Sequence, residues 1–303
     1  MDRIRGWLAA AVGCLVLLMA SAGEAGSGQA FITEVTGKAR VVKGDGGEGP
    51  AAAGGELAIG DALHVDEGKA ALIYLSGRAV EVGAGQVHEV RKGKGKESAL
   101  MEKIAGTLGE IVGPQSEADR PVVHGMARDL GGITGALPVN TRLSREKFVF
   151  TWDALEDAEE FEFRLETEDG EVLTKKMVKG TRLDAKELKL KPGERYVWSV
   201  QETGSFLPRD SGKGWVEIAS EKEAKELKKG MAAIESSAEG ESLPVLKAAN
   251  FYREGYFYDA EQALRDLEGK RSLSHLEQKL LTMAYVKMER WDRLPESKEK
   301  AKE

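Results

Sequence analysis

The chain has 303 residues, enough for two or three small domains, with 41% hydrophobic and 31% charged residues. Its formal net charge of -7 gives no basic footprint for nucleic acid or an anionic membrane surface. One cysteine, Cys14, stands in the whole sequence, so a disulfide framework within the chain is excluded.

The first segment reads as an export signal over residues 1–22. Arg3 and Arg5 form a basic start, Trp7–Ala20 is nearly all apolar, and Ala20-Ser21-Ala22 offers small residues at a cleavage site. The apolar run is short for a spanning helix, which needs about 20 residues. The expectation is a periplasmic or otherwise exported protein. The alternative is a membrane-anchored one, held by an uncleaved start or by lipid on Cys14 in "AVGC".

Residues 30–90 read as a small all-β domain. "AFITEV" and "KARVV" flank Thr36-Gly37, "ELAIGDALHV" turns at Gly60-Asp61, and "KAALIYL" and "RAVEV" flank Ser76-Gly77, a hairpin signal. "QVHEV" adds one more strand after Gly83-Ala84-Gly85. That glycine pair is a turn and not a dinucleotide loop, because His88 stands where a third glycine is needed and strand, not helix, follows.

Residues 91–137 read as a linker. It starts with the basic run "RKGKGK" and contains one short helix in "ESALMEKIAGTLGEIVG", with Leu100, Ile104, Leu108 and Ile111 at helical spacing. Residues 138–220 then alternate like a β-sandwich of the immunoglobulin or fibronectin III kind. Phe148, Phe150 and Trp152 fall on one face, as do Phe161, Phe163 and Leu165, and Tyr196, Trp198 and Val200. Asp169-Gly170 marks a hairpin. Residues 221–303 carry helical periodicity and end in a charged tail.

Three resemblances follow from these residues. "LAIGDAL" followed by "KAALIYLSGRAVEV" resembles a FecR-like domain, with Ser76-Gly77 where Asp-Gly is usual. That resemblance implies a bacterial cell-envelope protein, in some cases a regulator carrying iron-uptake signals. "FTW" and "LKPGERYVWSV" resemble the fibronectin III-like modules that often follow FecR-like domains; Trp152 becomes a core anchor and Tyr196 a tyrosine corner. "AANFYREGYFYDAEQAL" resembles a tetratricopeptide repeat, and a 34-residue step takes Phe251 to Tyr285 and Phe257 to Trp291, with Glu289 in the place of the glycine Gly255. So few repeats cannot bury their own apolar face, which predicts packing on the sandwich, on the preceding helix or on a partner.

No residue pattern points to catalysis, a cofactor or a metal. His64, His88, His124 and His275 are scattered without ligand spacing, and the carboxylates of "WDALEDAEEFEF" (Asp153, Glu156, Asp157, Glu159, Glu160) read as a solvated loop. The chain is therefore expected to be a non-enzyme that binds an envelope protein partner as a scaffold or adaptor. A FecR-type periplasmic sensor and a carbohydrate- or peptidoglycan-binding accessory module are the alternatives. The repeat pattern assigns Phe251 and Phe257 to the core, which leaves Tyr252, Tyr256 and Tyr258 partly exposed as the candidate partner surface.

Overall fold

The structure is a computed structural model that describes residues 30–74, 78–91, 99–112, 133–145, 147–153, 158–203, 209–237 and 242–294. The signal-peptide reading, Cys14, Ser76-Gly77, His124 and most of "RKGKGK" lie outside them. The chain is a mixed β/α protein with two separate β units and five α-helices among the described residues.

The first unit is a six-stranded sheet: β1 (Ala30–Val42), β2 (Glu48–Pro50), β3 (Glu56–Leu57), β4 (Ala62–Tyr74), β5 (Ala79–Gly83) and β6 (Val87–Glu89). Thr36-Gly37 was expected to separate two strands, but β1 runs through it unbroken and pairs antiparallel with β4 along its length. The reason is a glycine pair. Gly37 lies opposite Gly68, both at positive φ, and a Cβ on either would sit 2.2 Å from the Glu67 carbonyl oxygen or 2.0 Å from that of Thr36. Two glycines let the long strands bend together where side chains would collide. At the Gly60-Asp61 turn the Asp61 carboxylate is buried. It accepts the amides of Gly44 (3.0 Å) and Ala58 (2.9 Å) and the Lys43 ammonium (2.8 Å). Gly83-Ala84-Gly85 is the turn into β6, closed by the Gln86 amide on the Gly83 carbonyl at 3.1 Å.

The second unit is a two-sheet sandwich. β7 (Thr141–Leu143), β9 (Glu160–Thr167), β10 (Val172–Lys179), β12 (Arg195–Glu202) and β13 (Gly214–Ile218) form one sheet in the order β10-β9-β12-β13-β7. β8 (Val149–Thr151) and β11 (Arg182–Asp184) form the other. The nine alternating residues named above are all buried. Trp198 stacks on Phe163 at 5.8 Å and meets Phe150 edge-on at 4.8 Å, the arrangements aromatic quadrupoles favour. Tyr196 is a tyrosine corner: its buried phenol accepts the Lys191 amide at 2.8 Å and donates to Glu194 at 2.9 Å.

The helices are α1 (Ala99–Val112), α2 (Glu221–Ser237), α3 (Ser242–Arg253), α4 (Phe257–Glu268) and α5 (His275–Lys287). The short helix expected in the linker is α1, and it does not stand alone. Met101, Ile104, Leu108 and Ile111 line its buried face against α3 and α5, in one apolar core with the sandwich. α1 thus belongs to the helical layer although the sandwich separates it from that layer in sequence.

Candidate functional site

The aromatic segment at the α3–α4 turn is a seam inside the molecule. Tyr256 (2% exposed) and Tyr258 (7%) are buried, and Tyr252 is half-buried, whereas Phe251 and Phe257 are also only half-buried. Tyr256 and Tyr258 are therefore not the free surface expected of them, whereas Tyr252 stays partly exposed as expected, and Phe251 and Phe257 are only partly in the core. The cause is β7, a three-residue strand that pairs with β13 on one side and meets α4 on the other. Tyr258 bonds that strand through its amide, and Tyr256 sits beside Arg142 of the same strand and packs with Ala219 and Leu227.

Each contact at the seam has an identified partner. The Arg142 amide donates to the Gly255 carbonyl at 3.2 Å, and the Tyr258 amide donates to Thr141 Oγ1 at 3.2 Å. The Arg142 guanidinium lies 5.1 Å from the centre of the Tyr256 ring and pairs with Glu217 (3.2 Å) and Glu223. Asp259, 5% exposed, accepts the Ser144 amide at 2.9 Å and the Ser144 hydroxyl at 2.7 Å. Burial pushes the Asp259 carboxyl above its usual value despite these donors and Arg145. Burial likewise raises the Tyr252 and Tyr258 phenols, each to about 12. Farther along, Asn140 donates to Glu289 at 3.1 Å, and Arg293 pairs with Asp153 at 3.2 Å.

The α3–α4 and α5 turns repeat each other. The Gly255 amide bonds the Tyr252 carbonyl (3.1 Å) and the Tyr256 amide that of Phe251 (2.9 Å). Thirty-four residues on, Glu289 bonds Val286 (3.0 Å) and Arg290 bonds Tyr285 (2.8 Å) in the same way. Gly255 has φ +83° and Glu289 has φ +58°, so the glutamate takes the left-handed conformation that its glycine counterpart takes freely.

Two features face solvent, one beside the seam and one at the edge of the five-stranded sheet opposite β7. A cavity of about 520 Å³ opens between the β8–β11 sheet and α4, with Phe148, Trp152 and Tyr258 among its walls and Arg145, Lys147 and Arg182 around it. The other is the outer edge of β10, which among the described residues pairs with β9 alone. Among the described residues the large apolar side chains most open to water are Ile59, Val87, Val172, Leu173 and Met177, and three of the five stand on β10. A bulge between Val172 and Thr174 adds an extra residue to β10, and both Val172 and Leu173 stay exposed there.

The histidines stand apart. His88 is hydrogen-bonded to the Tyr74 hydroxyl at 2.7 Å, His64 lies within β4, and His275 opens α5. Among the described residues no three His, Cys, Asp or Glu side chains gather where a metal could sit.

Neither a family model nor a curated protein matches the chain. Among solved structures it is similar to a Fn3-like protein from Clostridium thermocellum, with 15% sequence identity and a TM-score of 0.22, over 29% of this chain and 90% of that one.

Proposed function

We propose that the chain is an exported, non-catalytic protein of the bacterial cell envelope that serves as a binding scaffold for a protein partner. In this reading its first unit is a FecR-like domain, the sandwich is a fibronectin III-like module, and the helices after it carry a tetratricopeptide-like repeat. The repeat assignment is supported by the 34-residue recurrence of the turn hydrogen bonds. The observation that carries the binding role is the β10 edge, whose outer main chain no described strand pairs, beside Val172 (45% exposed), Leu173 (44%) and Met177 (52%).

An open edge accepts an extended segment by main-chain pairing, and apolar side chains beside it supply area and selectivity. The occupant is a strand of a different protein. β10 carries Lys175, Lys176 and Lys179, paired with Glu162, Glu187 and Glu160, and lysines along an edge are one device by which edges avoid self-association.

The test is co-purification from envelope extract with the full chain. The double variant Leu173→Lys/Met177→Lys is expected to lose the partner, and Ile59→Lys/Val87→Lys to keep it. A partner that stays with the first variant, or sedimentation with purified peptidoglycan in place of a protein partner, would sink this reading. Deleting the helices is the wrong variant, because they share a core with the sandwich. Sequencing the mature N-terminus of exported material checks the export step.

A further inference from the structure

The cavity beside the seam is independent of the β10 edge and has the chemistry of a ligand site. Arg145, Lys147 and Arg182 surround it, on a chain whose net charge is -7. Most arginines of the protein are paired with carboxylates, as Arg142, Arg195, Arg209 and Arg271 are. Arg182 and Lys147 have no carboxylate within ion-pair distance among the described residues. Arg145 has Asp259 at 3.8 Å, a carboxylate already engaged by both donors of Ser144.

Arg145, Lys147 and Arg182 all line this one opening, so an anion entering it meets positive charge from each of them. The walls below them mix aromatic side chains with polar ones in about equal parts. Phe148, Tyr258 and Trp152 are buried residues that line the cavity, and the Trp152 indole N–H has no acceptor among the described residues. The Thr151 and Thr181 side chains add hydroxyls to the wall. The volume of about 520 Å³ falls within the roughly 300–1,000 Å³ of small-molecule sites.

We propose that this groove binds a small organic polyacid, a molecule with an apolar or ring-shaped body carrying two or more carboxylates. Arg182 and Lys147 hold the carboxylates, the arginine as a two-pronged donor, and the body rests against Phe148 and Tyr258. The same chemistry is offered by a free polyacid and by the acidic end of a peptide.

The experiment is calorimetric titration of the full chain with hexane-1,6-dioate, benzene-1,3-dicarboxylate and the capped tripeptide Glu-Phe-Glu, at low and high salt. At least one probe is expected to bind at one site with a Kd below about 1 mM, weakened by salt. Arg182→Gln/Lys147→Gln should weaken it about tenfold or more. Lys225→Gln/Lys228→Gln on α2 and the β10 variant Leu173→Lys/Met177→Lys should leave it unchanged. Tighter binding of the tripeptide assigns a peptide source, and tighter binding of either free acid a small molecule. No saturable heat from any probe, or a Gln double variant that binds like the parent, would overturn the proposal.

Discussion

The two halves of the molecule solve the problem of a small core differently. The first sheet closes a core of its own from Ile32, Leu57, Leu63, Leu72 and Val82, all within residues 30–90. The sandwich and the helices share a second core that runs from Phe163 and Trp198 through α1 to Leu264 and Leu280, and from the first sheet Ile73 of β4 joins it. Units that bury their own apolar surface can unfold singly, whereas units sharing one core should lose structure together. Sequence position does not decide membership. α1 follows the first sheet directly, yet Leu108 packs with helices more than a hundred residues later.

The sharpest way to break this comparison is to damage each core separately. Gly37→Val places a side chain on the Glu67 carbonyl and forces a β-branched residue to positive φ. It should cost the first sheet about 3–5 kcal/mol and leave the rest standing. Leu108→Ala empties a fully buried site on α1 and should cost about 2–5 kcal/mol, felt by sandwich and helices together. Hydrogen exchange read by segment separates the outcomes. If Gly37→Val also loosens residues 138–294, the cores are not independent.

Two buried aspartates give opposite pH behaviour on the two sides. Burial raises the Asp61 carboxyl, but the Lys43 ammonium and the Ala58 and Gly44 amides outweigh it and leave the group below its usual value. A depressed carboxyl stabilises above its unfolded value, about 3.9, and that stability is lost as pH falls through the folded value. Asp259 is raised, with Ser144 and Arg145 only partly offsetting its burial. The seam is therefore least burdened below the unfolded value, and it weakens as pH rises toward the raised folded value. Asp61→Asn should cost the first sheet about 1–3 kcal/mol at neutral pH. Asp259→Asn should change the seam by no more than about 1 kcal/mol and flatten its pH dependence. Urea melts at pH 4, 5.5 and 7 test this, and equal losses from the two variants would contradict it.

Much of the architecture was legible in local patterns. Alternation in Phe148–Trp152, Phe161–Leu165 and Tyr196–Val200 marks the buried face of the sandwich, because period two leaves no other assignment for three aromatic strands. Capping signals were also present: Ser220 with Glu223 starts α2, and Ser274 with Glu277 forms a full capping box on α5. What stayed hidden depends on contacts between distant segments. β7 is three residues long and acquires its role from β13 and α4 together. The tyrosines could not be placed without it, since the repeat pattern describes a helix pair covered by another pair. The groove gathers Lys147, Arg182 and Gln262 from three elements and leaves no local motif.

The smallest expected effect tests whether the two helical turns are equivalent. Gly255 and Glu289 occupy the same hydrogen-bonded position 34 residues apart, yet only the glycine reaches positive φ without strain. A non-glycine residue there costs about 1–2 kcal/mol. Glu289→Gly removes that cost, but it gives up the 3.1 Å bond from Asn140 and adds freedom to the unfolded chain. The balance should be a gain of about 0.5 kcal/mol, well below the cost of the reverse change. Gly255→Ala has room for its Cβ, whose nearest neighbour would be Arg142 at 3.5 Å, so its loss of about 1 kcal/mol reports backbone strain alone. Thermal melts of the two variants in parallel measure both. If Glu289→Gly destabilises by as much as Gly255→Ala, the Asn140 bond holds that turn in place and the two turns are not interchangeable copies.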